Sequence, residues 1–250
     1  MNSIKESNNQ SKIDNDPNHD DDGTIPIISN PIELQKYGVI QIPIPKQFDI
    51  SKWASEYSHA TPLNFTSEAD NEYAFYRNIL DEPSFPFDSI LDLNSETSIG
   101  QAISTYFLNS KNGTEDEKKE DNDLMNQIRL DDAFCIHYNT NQSDTTCAKH
   151  MDPSDITVNL CLEKSDDVIG SEVLFYGTQS LANKKNHKIA METNDFRFLV
   201  PQKQGIATLH YGCHPHETMP LKQGKRTNIV LTYCYTDESK SGVALRTCYL

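Results

Sequence analysis

From Leu130 onward the chain is a succession of short runs rich in Val, Ile, Phe, Tyr and Thr: "DAFCIHY", "DITVNLCL", "SEVLFYG", "FRFLV", "GIATLHYG" and "RTNIVLTYCY". Each run is of strand length and is bounded by Gly, Asn, Asp or Ser. Such a series predicts an antiparallel sandwich or barrel. The preceding half has a different texture. "PIELQKYG" reads as a short helix stopped by Gly38, and "VIQIPI" as a strand ending in prolines. "FDISKWASEYSHA" sets Ile50, Trp53, Ala54 and Tyr57 at helical spacing, and "ETSIGQAISTYFL" does the same with Ile99, Ala102, Ile103, Tyr106 and Phe107. Trp53, the only tryptophan, is expected in the core. The expected class is mostly β with flanking helices (α+β).

Two polar segments punctuate this order. Residues 1–24 are rich in Asn, Asp and Ser and nearly lack large apolar groups. They cannot bury enough surface to offset the entropy of ordering, so a disordered acidic tail is expected. Residues 109–123, "NSKNGTEDEKKEDND", read as a solvated insert. The helix-rich flank over 25–127 and the β module over 128–250 are expected to form one domain.

The formal net charge of −15 argues against a nucleic-acid backbone or an anionic membrane surface as the main partner. No run approaches the roughly 20 apolar residues of a membrane span, and "MNSIKESNNQ" lacks the apolar core of a secretory signal. The six cysteines form no C-x-x-C pair. Free thiols in a cytoplasmic or nuclear, non-secreted protein are the expectation.

Candidate chemistry begins in "AKHMDPSDITVNLCL", where His150 and Asp152 are separated by one residue. On extended backbone, residues i and i+2 share a face, so an imidazole and a carboxylate reach one point. A histidine from a distant strand completes a two-histidine, one-carboxylate set, which leaves open positions on a non-haem Fe(II). "HYGCHPHETMPLKQGKR" supplies three candidates, His210, His214 and His216. Pro220, Gly224 and Arg226 follow His216 at offsets of four, eight and ten. Pro220 and Gly224 mark a turn, expected to return Arg226 beside the strand that ends near His216. A guanidinium there can hold a carboxylate through two parallel hydrogen bonds.

With "HMD", and with His, Pro, Gly and Arg at those offsets, the chain resembles the Fe(II)/2-oxoglutarate-dependent dioxygenases, most closely their prolyl/lysyl-hydroxylase-like branch. The resemblance covers roughly residues 128–236. It implies a double-stranded β-helix, a jelly-roll variant. His150, Asp152 and His216 would be the iron ligands. Arg226 would hold the distal carboxylate of 2-oxoglutarate, with Tyr138 of "FCIHY" helping. O2 and 2-oxoglutarate would be consumed, with ascorbate as a reductant, to hydroxylate an unactivated C–H bond on an unknown acceptor, prolyl and lysyl protein side chains included. One departure stands out. Where many members have a second glycine, this chain has Ser171, between Gly170 and Glu172. Serine suits that position if no positive φ is required.

The offset to Arg226 selects His216 as third ligand, with His214 as the rival and His210 expected to pack within its strand. An alternative pairs Cys147 and His150 with Cys213 and His216 in a closed zinc site. That arrangement gives Asp152 and Arg226 no role. At the level of function, the alternative is a non-catalytic metal-binding β-sandwich with a structural or regulatory role.

Overall fold

The computed structural model of the protein describes residues 24–58, 75–80, 82–91, 98–108, 124–141, 145–179, 196–239 and 241. The expected tail, Thr24 apart, and the insert over 109–123 lie outside the described residues. Twelve strands are described: β1 (Val39–Pro43), β2 (Phe75–Asn78), β3 (Ile128–Asn139), β4 (Cys147–His150), β5 (Ile156–Lys164), β6 (Ile169–Gly170), β7 (Val173–Tyr176), β8 (Arg197–Val200), β9 (Ile206–Tyr211), β10 (His216–Thr218), β11 (Leu221–Gln223) and β12 (Lys225–Tyr235). Six form a large sheet in the order β1-β9-β5-β12-β3-β2, and four form a smaller sheet, β4-β10-β7-β8. β11 and β6 pair separately. All the strand pairs are antiparallel, as the β-rich half predicts, and the fold is the double-stranded β-helix that the resemblance implies.

The helical expectations in the flank are met at α1 (Pro31–Lys36), α2 (Ile50–Ser58) and α4 (Ile99–Ala102), with α3 (Phe87–Leu91) between the last two. The Asn30 side chain caps α1 by accepting from the Ile32 and Glu33 amides. Gly38, at φ 86°, ends it in a conformation that favours glycine. α4 runs on into a π-helical turn over Ile103–Leu108. The flank is less purely helical than its sequence suggests. β1 and β2 are the two edges of the large sheet, and "EYAFYRN", which reads as part of a helical half, contributes β2.

Period-two alternation divides the large sheet into two faces. Ile156, Val158, Leu160 and Leu162 of β5 are fully buried in the main core. They lie there with Ile229, Leu231 and Tyr233 of β12 and with Trp53, Tyr57, Ile90, Ile99 and Phe107 of the helical elements. Trp53 packs on Tyr57 and Phe85 at ring distances of 5.6 and 4.9 Å, as its composition implies. Out-of-phase residues of the large sheet, among them Tyr138, Thr157, Asn159, Thr208, His210 and Val230, face the smaller sheet and line a cleft partly open to solvent. "ITVNLCL" therefore sorts its apolar residues to the helices and its polar ones to the cleft. No helix among the described residues is long and apolar enough to cross a membrane.

Candidate metal centre

Three of the predicted side chains meet at the cleft. His150 ends β4, and His216 opens β10 directly opposite it in the antiparallel pair. Asp152 lies just beyond β4, where its amide donates to the Gly212 carbonyl at 2.9 Å. The His150 Nε2 is 3.4 Å and the His216 Nε2 3.9 Å from Asp152 Oδ1. One donor atom from each of His150, Asp152 and His216 can be chosen so that all lie within 4.8 Å of one another, close enough to hold a metal ion.

Hydrogen bonds orient each member. The His150 Nδ1 is 2.7 Å from the Ala148 carbonyl oxygen, and the His216 Nδ1 is 2.9 Å from that of His214. A carbonyl only accepts, so each Nδ1 carries a hydrogen, and in its neutral form each ring turns an Nε2 lone pair inward. Thr157 donates its hydroxyl to Asp152 Oδ2 at 2.5 Å, which leaves Oδ1 facing the two imidazoles.

Electrostatics separate the two histidines. Burial pushes His216 down to about 4, against the pull of Asp152, so it is neutral at pH 7. The hydrogen bond to Asp152, then that to Cys147, pushes the more exposed His150 up to about 11. Burial opposes the Asp152 charge, but His216, His150, His210 and Thr157 together hold its carboxyl below the usual range. In the metal-free protein His150 is therefore protonated at neutral pH, and a metal must displace that proton. Binding of Co(II) between about pH 6 and 8 is expected to release one proton, taken from His150, with affinity rising about tenfold per pH unit. Calorimetry in buffers of different ionisation enthalpy measures this directly. Release of no proton would contradict the assignment of His150.

The rival residues are placed elsewhere. His214 is fully buried beneath the smaller sheet, its ring 4.8 Å from that of Phe175 and its Nε2 3.3 Å from the Gly177 carbonyl oxygen. Its carbonyl, rather than its ring, serves the cluster. Cys213 packs against the main core, on the helical side of the large sheet, so the Cys147–His150–Cys213–His216 quartet does not assemble. His210 departs from the expectation that it simply packs in its strand. It lines the cleft, with its Nε2 4.0 Å from Asp152 Oδ2. The alternation in "GIATLHYG" carried that signal, since Thr208 and His210 fall out of phase with Ala207, Leu209 and Tyr211.

Arg226 lies on β12, in the large sheet, opposite Tyr138 of β3 and Lys164 of β5. The expected turn does contain Gly224, at φ 82°. The chain nevertheless passes from the smaller sheet to the larger one between His216 and Arg226, so the two residues face the cleft region from opposite sheets. Arg226 is 2% exposed, and its guanidinium carbon sits 5.2 Å from the centre of the Tyr138 ring. Nη1 donates to the Ser171 carbonyl at 2.5 Å, while Nε has no partner. No carboxylate among the described residues forms an ion pair with it. A buried cation without a counter-charge is costly, which fits a site that receives an anionic group. Nearby, Gln202 Nε2 and Asn228 Oδ1 are likewise buried without partners.

Ser171 does not meet the condition under which serine suits its position. Its φ is 70°, the left-handed region, so the position does call for glycine's freedom. Its buried hydroxyl also lacks a partner, and its carbonyl is the one that meets Arg226. A serine held this way marks stored strain beside a binding group. Ser171→Gly is expected to stabilise the fold by about 1 kcal/mol, read as a higher urea midpoint at unchanged slope.

No protein-family model matches the chain. Among curated proteins it is similar to the 2-oxoglutarate and iron-dependent oxygenase domain-containing protein CP2 of Arabidopsis thaliana, with 27% identity over 156 residues. The match takes in 62% of this chain and 34% of that protein, so the chain spans about a third of the relative's length. Among solved structures it is similar to the non-heme alpha ketoglutarate dependent carbocyclase SnoK from nogalamycin biosynthesis, at a TM-score of 0.51 and 13% identity, covering 80% of this chain and 81% of that one. It is also similar to HygX from Streptomyces hygroscopicus with iron bound, at a TM-score of 0.50 and 10% identity, covering 82% and 85%. At such identities the likeness is one of fold. The sequence match is thus to a 2-oxoglutarate and iron-dependent oxygenase domain-containing protein, and the fold is shared with SnoK and HygX; neither likeness reaches the prolyl/lysyl-hydroxylase-like branch.

Proposed function

We propose that the protein is an Fe(II)- and 2-oxoglutarate-dependent oxygenase that hydroxylates an unactivated C–H bond. The observation that carries this reading is a His150–Asp152–His216 cluster at a cleft also lined by Tyr138, with the buried, ion-pair-free Arg226 against the Tyr138 ring. The donor set suits the metal: two neutral imidazole nitrogens and one carboxylate oxygen, with the rest of the cleft open. His150, Asp152 and His216 would hold the iron, and Arg226 with Tyr138 would take the distal carboxylate of 2-oxoglutarate.

When bound, the iron supplies the activation of O2 that couples decarboxylation of 2-oxoglutarate, to succinate and CO2, with transfer of one oxygen atom to the acceptor. The chain's own residues do the rest. The Ala148 and His214 carbonyls fix the imidazole tautomers, Thr157 fixes the carboxylate, and Arg226 anchors the cosubstrate's far end. Phe134, Ile136, Val173, Phe175 and Val230 give the cleft an apolar wall that limits water. Ascorbate would serve as reductant between turnovers. The acceptor is a prolyl or lysyl protein side chain if the resemblance to that branch holds, and a small molecule otherwise.

Purified protein with Fe(II), ascorbate and 2-oxoglutarate is expected to release succinate slowly even without acceptor, and His216→Ala is expected to release none. Comparative mass spectrometry of proteins and small molecules, seeking oxygen additions lost in that variant, separates the two acceptor classes. A folded wild-type protein that forms no succinate and binds no 2-oxoglutarate would favour the alternative, a non-catalytic metal-binding β-sandwich with a structural or regulatory role.

A further inference from the structure

His210 is a third imidazole at the cluster, on a different strand and from a different direction. It is 3% exposed, its ring lies 4.7 Å from that of His216, and it meets Phe175 edge-on at 5.2 Å. Its Nδ1 is 3.0 Å from the Tyr211 carbonyl oxygen, so in the neutral ring Nδ1 carries the hydrogen. Nε2 then presents a bare lone pair to the cleft. It lies 4.0 Å from Asp152 Oδ2, too far for a hydrogen bond. Both atoms are acceptors, and Oδ2 already receives the Thr157 hydroxyl. His150 and His216 stand on the Oδ1 side of the same carboxylate. A donor placed between Asp152 Oδ2 and His210 Nε2 would be accepted by His210 Nε2.

We propose that His210 is a positioning residue whose Nε2 accepts a hydrogen bond from a water or other protic ligand at an open coordination position beside Asp152 Oδ2. The inference rests on the metal-centre reading above and adds a selectivity to it. That position favours ligands with a hydrogen to donate and disfavours anions that present only lone pairs. His210 thus retains water at the metal until the cosubstrate displaces it.

Azide is a suitable probe because it coordinates metals as an anion and carries no hydrogen at neutral pH. Full-length protein loaded with Co(II) is titrated with azide and followed by its visible ligand-field spectrum. His210→Phe keeps the ring against Phe175 and removes the acceptor, while His210→Gln restores an acceptor oxygen. Azide affinity is expected to rise about tenfold in His210→Phe, the equivalent of one hydrogen bond, and to stay near wild type in His210→Gln. An unchanged azide affinity in a folded, Co(II)-loaded His210→Phe protein overturns the proposal. So does a lower affinity, which would mean that His210 donates. Co(II) affinity falling more than about 100-fold in that variant would make His210 a ligand instead, and also overturns it. Wild-type protein that binds no Co(II) at all defeats the metal centre itself, a failure distinct from the other three.

Discussion

Arg226→Met is expected to weaken 2-oxoglutarate binding by about 100-fold or more while leaving the protein at least as stable. The two halves of this expectation have one cause. In the free protein Arg226 is a buried cation held by the Ser171 carbonyl and by the face of Tyr138, with its Nε unpartnered. Burial lowers the pKa of the group, opposed by Tyr138, Cys161 and Glu172, yet a guanidinium stays charged at neutral pH. Its desolvation is therefore only partly offset until a second carboxylate arrives. Each hydrogen bond to a charged group contributes about 1.5–3 kcal/mol, so losing two costs at least two decades of affinity. Methionine fills similar volume without charge, and replacing a poorly paired buried ion by an apolar side chain is often neutral or stabilising. Calorimetry with Mn(II)-loaded protein measures the first effect and urea denaturation the second. Undiminished 2-oxoglutarate affinity would remove Arg226 from the site. A large loss of stability would mean that the Ser171 bond, rather than an absent anion, accounts for its burial.

The legibility of this fold and site differed sharply by element. Long apolar strands announced themselves: "ITVNLCL" and "RTNIVLTYCY" became β5 and β12, because central strands of the large sheet must bury one full face. β4 and β10 did not. "CAKH" and "HET" are short and polar, since their side chains serve the cleft and their strand character comes from pairing with each other and with β7. β2 was hidden for a related reason, as an edge strand specified by its partner β3. The His150–Asp152 spacing was readable because it is local and fixed by backbone geometry, whereas the turn after His216 was misread as a return beside the same strand, because the chain changes sheet before Arg226. The positive φ of Ser171 was not readable, because serine gives no hint of left-handed backbone. Nor was the approach of His210 to Asp152, which depends on register between β5 and β9, where Thr157 lies opposite His210.

His216→Ala and His214→Phe are expected to part company in metal binding. His216 turns its Nε2 toward Asp152 Oδ1, and burial keeps it neutral at pH 7. Its removal deletes one of three donors, and the loss of Co(II) affinity should exceed the roughly 10–100-fold typical of changes to groups that merely support ligands. His214, two residues earlier, would share a face with His216 on regular extended backbone. The turn through Cys213 breaks that regularity: the His214 amide donates to the Tyr211 carbonyl, and its ring swings under Phe175 and Phe198. Phenylalanine fits that aromatic slot and removes the buried Nδ1 that has no partner. It also keeps the backbone carbonyl that orients His216. Co(II) affinity in His214→Phe should therefore stay within about threefold of wild type. Pulsed electron paramagnetic resonance of the Cu(II)-loaded proteins gives an independent count: two coordinated imidazoles in wild type and in His214→Phe, one in His216→Ala. The reverse pattern would transfer the third ligand to His214 and require the strand entering β10 to be rotated by two residues, which the pairing of His216 with both His150 and Phe175 opposes.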